Sequence, residues 1–154
     1  MVFASPLPDV EIPDVALTGY VLARAAALGD KPALVDGPSG RTITYAALDA
    51  GIRSLAGGLA ARGFGKGSTL ALMSPNIPEY AVIFHGVAMA GGVITTINPT
   101  YTEAEVHKQL LDSHATILIT IPMFLEVATK AAEGTEVTDV YVLGEAEGAK
   151  PITE

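Results

Sequence analysis

Short apolar runs alternate with stretches of helical period along most of this chain, most regularly from Thr69 to Thr120. Thr69–Met73 is an apolar run closed by Ser74-Pro75-Asn76, which predicts a buried strand. Asn76 is placed to cap a helix over about 77–90, with Pro78 in its first turn and Glu79 three residues on. Ile77, Tyr80, Ala81, Phe84 and Ala88 make one apolar face of that helix, widened by Ile83 and Val87. A helix this apolar is expected to be covered on two sides. Gly91-Gly92 stops it, and the β-branched run Val93–Ile97 predicts the next strand. Asn98-Pro99 turns the chain, Thr102 caps a second helix with Glu105 completing a capping box, and Ala115–Thr120 predicts a third strand. Strands joined by helices imply parallel pairing and right-handed crossovers. The predicted fold class is therefore α/β: a mainly parallel sheet with flanking helices, preceded by a β-hairpin and an amphipathic helix.

Four segments follow from the whole pattern. Residues 1–17 carry Pro6, Pro8 and Pro13 without periodicity and predict an extended arm. In 18–68, Thr18 is placed to cap a helix reaching about Leu28, and Gly29 suits its C-terminal end. Two short runs, 32–36 and 41–44, flank Gly37-Pro38-Ser39-Gly40 and predict a hairpin. Thr44 then caps a helix striped by Leu48, Ile52, Leu55 and Leu59. Gly57-Gly58 inside that helix costs about 1 kcal/mol per glycine, so another backbone is expected to approach it closely. Residues 69–143 form the parallel α/β unit, with a helix from Pro122 to about Glu133 and a final strand at 139–143; 144–154 predicts loop or a disordered tail.

Composition narrows the picture. Nine Lys+Arg against seventeen Asp+Glu give a net charge of -8, which argues against a nucleic-acid backbone as partner. The absence of cysteine removes a disulfide framework and cysteine-based metal sites. The amino terminus has no basic segment followed by an apolar one, no apolar run reaches ~18 residues, and a cytoplasmic setting is the expectation. Charged residues make up only 17%, against about 25% in soluble domains, so part of the surface is expected to be covered by another segment.

Candidate chemistry is sparse. Gly63-Phe64-Gly65-Lys66-Gly67-Ser68 resembles a phosphate loop, but Gly67 separates lysine from serine and the order is helix, loop, strand. It is read as a turn. His85 sits on an apolar helix as a packed side chain, His107 pairs with Glu103 one turn back, and His114 suits a helix C-terminus; none has a second ligand at metal spacing. Ser74 ends a strand without a nucleophile-elbow pattern, and Glu103 and Glu105 do not face each other. No catalytic, cofactor-binding or metal-binding residue is assigned.

Ser74-Pro75-Asn76 followed by Pro78-Glu79, then Gly91-Gly92, Asn98-Pro99, Tyr101-Thr102 and Lys108-Gln109, together resemble the amino-terminal region of adenylate-forming acid–CoA ligases. The 4-coumarate–CoA ligase group is most similar, with firefly luciferase and fatty-acyl–CoA synthetases as cousins. Thr42–Tyr45 and the 48–63 helix add to the likeness, which runs from about Leu17 to Leu143. The resemblance implies an enzyme that uses ATP, Mg²⁺ and coenzyme A to turn a carboxylic acid, fatty or aromatic, into its thioester through an acyl-adenylate. Its phosphate loop, Mg²⁺ ligand, ribose-binding acid and C-terminal lysine belong to later sequence. The resemblance therefore implies an inactive piece that binds none of these cofactors, whose partner is the C-terminal remainder of the enzyme, or a second copy through uncovered apolar surface. It also places residues 30–65 with a second sheet. The alternative is a small non-catalytic α/β binding or interaction module on a ligase-like scaffold.

Overall fold

The computed structural model describes residues 5–152. Residues 1–4 of the expected arm and 153–154 of the expected tail lie outside it. Residues 5–16 form neither helix nor strand. Two short helices follow, α1 (Leu17–Val21) and α2 (Ala25–Leu28), where the sequence predicts one. Thr18 does not cap. It is buried inside α1, and its Oγ1 lies 3.1 Å from His85 Nδ1 and donates to the His85 carbonyl at 3.3 Å. A tertiary partner has taken the hydroxyl that the sequence offers to the helix end.

β1 (Pro32–Val35) and β2 (Thr42–Thr44) pair antiparallel as a separate two-stranded sheet. Thr44 Oγ1 then accepts from the Ala47 amide and starts α3 (Tyr45–Ala61), as its position predicts. The remaining strands are β3 (Thr69–Met73), β4 (Val93–Ile97), β5 (Ala115–Thr120), β6 (Asp139–Val142) and β7 (Lys150–Pro151). They form one parallel sheet in the order β4-β3-β5-β6-β7. The helices between them are α4 (Pro78–Met89), α5 (Glu103–Ser113) and α6 (Leu125–Ala132), the last preceded by a 3₁₀ turn at Pro122–Phe124. β7 lies in the stretch read from sequence as loop.

Strand periodicity sorts the core into two layers. Leu70, Leu72, Ile117 and Ile119 point to one face, where Leu59 of α3 and Ile83 and Val87 of α4 cover them. Ala71, Met73 and Leu118 point to the other, against Val106 and Leu110 of α5 and Ala128 and Ala131 of α6. The Thr102–Glu105 capping box fixes the start of α5, and Gln109 Nε2 ties that helix to β4 through Thr95 Oγ1 at 2.9 Å. Asn76 caps nothing. Ile77 is the N-cap residue of α4, its amide donates to the Pro75 carbonyl at 2.9 Å, and Asn76 is left exposed.

Close approaches occur at glycines other than the pair singled out by sequence. A Cβ at Gly57 or Gly58 would meet nothing within 4 Å, so no second backbone lies against them among the described residues. The tight contacts are at Gly86, where a Cβ would come within 2.7 Å of Leu55 Cδ2 at the α3–α4 crossing, and at Gly92, where it would overlap the Phe64 ring. Phe64 is buried, so its ring cannot swing into solvent without losing core contacts. Gly92→Ala is expected to lower stability by about 1–3 kcal/mol through overpacking. Gly57→Ala, in an open helix interior, is expected to raise it by about 0.5–1 kcal/mol. Urea denaturation of both variants checks the pair of signs.

Candidate functional site

In an open parallel sheet, ligands bind beyond the carboxyl ends of the strands where the chain reverses its stepping direction. Here that point lies between β3 and β5: the chain leaves β3 for α4 on one face and leaves β5 for α6 on the other. Ser74 and Thr120 stand there, and both are buried. Thr120 Oγ1 donates to the Met73 carbonyl at 3.0 Å, and Ser74 Oγ donates to the Pro75 carbonyl at 3.0 Å. Both hydroxyl protons therefore hold backbone, and neither residue is paired with a histidine or carboxylate that could activate it. At the end of β4, Asn98 Oδ1 accepts from the Thr100 amide at 3.1 Å and from its hydroxyl at 3.0 Å, closing a turn.

The other side chains weighed from sequence are scattered. The 63–68 loop is a turn closed on itself: Gly63 and Gly67 have φ of 80° and 89°, and Ser68 Oγ accepts from the Gly65 amide at 3.2 Å. His107 does not pair with Glu103. Its Nδ1 lies 2.9 Å from the Ala131 carbonyl oxygen and fastens α5 to α6. His85 is half-buried against α1, and burial pushes its imidazole below the ordinary value. His114 ends α5 in the left-handed conformation, φ 52°, with Nδ1 2.6 Å from Glu136 Oε1. That hydrogen bond, reinforced by the carboxylate's charge, raises the imidazole pKa. It sits at the amino end of β5, away from the crevice.

One cavity, of about 420 Å³, opens between α3, α4 and the sheet. Its lining is mainly apolar, from Leu55, Leu59, Leu70, Ile83, Ile117 and Ile119 among others, with Ser54, Arg62, Glu79 and Tyr141 as its polar members. Arg62 Nη1 donates to Tyr141 Oη at 2.8 Å. Arg41 forks onto both Glu79 oxygens, which holds that carboxyl below its usual range. Sequence reasoning missed this cavity because Tyr141 and Arg62 are 79 positions apart and meet only through the fold.

Two features of the described residues bear on a nucleotide's phosphates and their metal. No cluster of three or more His, Asp or Glu that could hold an ion exists among the described residues. α4 starts with Pro at its first turn, which removes an amide donor just where a helix N-terminus would meet phosphate. No helix of the described residues is long and apolar enough to cross a membrane.

A parallel sheet layered by helices on both faces, with a separate hairpin, defines an open, layered α/β scaffold. A long-chain fatty-acid–CoA ligase from Archaeoglobus fulgidus has this fold, with a TM-score of 0.85 at 24% identity over 98% of this chain and 31% of that one. The family model described as AMP-binding enzyme matches residues 21–153. 4-coumarate–CoA ligase 3 of Oryza sativa subsp. japonica is 37% identical over 155 residues, 100% of this chain and 28% of that protein. 4-coumarate–CoA ligase 5 of the same organism is 42% identical over 125 residues, 80% of this chain and 23% of that protein. The chain belongs to the AMP-binding enzyme family. It spans about a quarter of the length of these curated relatives.

The His114–Glu136 pair yields a pH prediction. Because the folded imidazole pKa is raised, the pair's stabilisation is fully present below the unfolded value of about 6.5 and is lost as pH rises through the folded value. Glu136→Gln is expected to return the His114 titration, followed by NMR of the ring, toward the ordinary value and to flatten that pH dependence.

Proposed function

We propose that this chain is the amino-terminal part of an ATP-dependent acid–CoA ligase of the 4-coumarate–CoA ligase type. The net reaction is acid, ATP and coenzyme A to acyl-CoA, AMP and pyrophosphate, through an acyl-adenylate. The observation that carries the reading is the AMP-binding family match across residues 21–153. The reach of the match supports the partial nature of the chain, since it aligns with only about a quarter of each rice ligase.

Adenylate formation requires donors and a cation to offset phosphate charge as the carboxylate attacks. The carboxyl edge of this sheet offers hydroxyls already spent on backbone carbonyls and, among the described residues, no acidic cluster. We therefore assign the phosphate-holding, Mg²⁺-holding and acyl-selecting residues to sequence outside this chain. Within the whole enzyme this segment serves as a rigid wall. Its hairpin, β1–β2, is read as the start of a second sheet that later strands extend, because a two-stranded sheet is marginal by itself. The acid class remains that of the group, aromatic or fatty.

The test is pyrophosphate release. The purified 154-residue chain with MgATP, 4-coumarate or a fatty acid, and coenzyme A is expected to release none above background, and millimolar ATP is expected to give no calorimetric signal. The protein from the full reading frame is expected to turn over. Pyrophosphate release by the 154-residue chain contradicts the partial reading; a reading frame that stops after Glu154 supports the non-catalytic module instead.

A further inference from the structure

Asp36 is the one aspartate of the 154-residue sequence that is followed by glycine, and no asparagine is. It follows β1 at the turn into β2, and the backbone closes that turn. The Asp36 amide donates to the Arg41 carbonyl at 2.8 Å, and the Gly40 amide donates to the Asp36 carbonyl at 2.8 Å. Gly37, Pro38 and Ser39, between them, are exposed. The Gly37 amide donates no hydrogen bond among the described residues. Glycine also carries no side chain to keep its nitrogen from the carboxyl group one residue back. Asp49 and Asp112, followed by Ala50 and Ser113, lie inside α3 and α5, where the helical ladder holds the backbone.

The Asp36 carboxyl is tied to the far end of the turn. Its Oδ2 accepts from the Ser39 amide at 3.3 Å and from the Ser39 hydroxyl. Ser39 Oγ accepts in turn from the Arg41 amide at 3.2 Å, which fixes the place of that hydroxyl. The carboxyl group must let go of Ser39 before it can swing back onto the Gly37 nitrogen.

We propose that the Asp36–Gly37 peptide is a site of isoaspartate formation whose rate Ser39 holds down. The Gly37 nitrogen adds to the Asp36 side-chain carboxyl carbon. A C–N bond forms, and a carboxyl oxygen departs as water with the amide proton and one proton from solvent. Water then opens the cyclic imide. Cleaving the bond to the side-chain carbonyl restores aspartate. Cleaving the bond to the main-chain carbonyl sends the backbone through the side chain and leaves the former main-chain carbonyl as a free carboxylate. The reaction takes no oxidant or reductant, and water is its co-reactant. It inserts a methylene into the backbone between the bonds that close the turn. Arg41, across that turn, reaches both Glu79 oxygens and ties the hairpin to α4. Isoaspartate at residue 36 therefore loosens the β1–β2 hairpin. The new carboxylate is a methyl acceptor for a sulfonium-dependent protein carboxyl methyltransferase.

The test incubates purified protein from the full reading frame, warm and at neutral pH. Isoaspartate is read by enzymatic methyl incorporation and located by electron-transfer fragmentation of the tryptic peptide that ends at Arg41. It is expected to accumulate at residue 36 ahead of every other aspartate. A Cβ at Gly37 would meet nothing within 4 Å and its backbone is outside the left-handed region, so Gly37→Val is accommodated; it is expected to slow the reaction roughly tenfold or more. Ser39→Ala removes the hydroxyl's bond and keeps the amide's, and is expected to speed the reaction about fivefold, the factor one such hydrogen bond is worth. The isoaspartyl fraction is expected to exchange its β1–β2 amides faster than fresh protein does. Isoaspartate that appears first at another aspartate, or at an equal rate in Gly37→Val, overturns the site. A rate in Ser39→Ala equal to or below that of the unchanged protein overturns the restraint by Ser39. Equal hairpin exchange in the two fractions overturns the loosening.

Discussion

β3 is the constraint on which the rest depends. It is paired in parallel on both edges, to β4 and β5, and every residue from Thr69 to Met73 is buried. Its side chains divide strictly by parity: Leu70 and Leu72 enter the α3–α4 layer, Ala71 and Met73 the α5–α6 layer. A slip of one residue would exchange the two layers, driving leucines into the space shaped for Ala71. The helices inherit their positions from this choice. α4 can lie on the first face only because β3 presents leucines there, and α5 on the second because β4 and β5 flank β3.

The same economy governs the polar side chains around the crevice. Several of the polar side chains weighed as candidates are already fastening something. The Thr120 and Ser74 hydroxyls hold backbone at the reversal point, Thr18 with His85 pins α1 to α4, and His107 joins α5 to α6. No buried side-chain nitrogen or oxygen among the described residues is left without a partner. A catalytic site needs groups whose bonding capacity is held in reserve for a substrate. The Ser74 and Thr120 hydroxyl protons are committed to backbone carbonyls, and the cavity beside α3 and α4 is mainly apolar. On the proposed reading, other parts of the family's fold supply its chemistry.

Strand and helix identity was legible because it is written locally. Thr69–Met73, Val93–Ile97 and Ala115–Thr120 end where their turn residues stand, and the Thr102–Glu105 box is a four-residue signal that needs no tertiary context. What failed was decided at a distance. Thr18 looked like a cap until His85, 67 positions on, supplied a partner. Asn76 lost its cap to the tight Pro75–Ile77 turn, which leaves its side chain in solvent. Gly57-Gly58 looked like a contact glycine pair, but the crossing is made at Gly86 and Gly92, whose neighbours Leu55 and Phe64 come from α3 and the loop after it. β7 carries no hydrophobic period, and β6 alone makes Lys150–Pro151 a strand. The cavity left no local mark either, since its floor and walls come from α3, α4 and three strands that only folding brings together.

The most direct test of this account is amide hydrogen exchange on the 154-residue chain. If the doubly buried β3 organises the wall, the amides of Leu70–Met73 and Ile117–Thr120 exchange slowest, through global unfolding, while those of the β1–β2 hairpin and β7 open earlier through local fluctuations. Slowest exchange in the hairpin, or uniformly weak protection across β3 and β5, would contradict it.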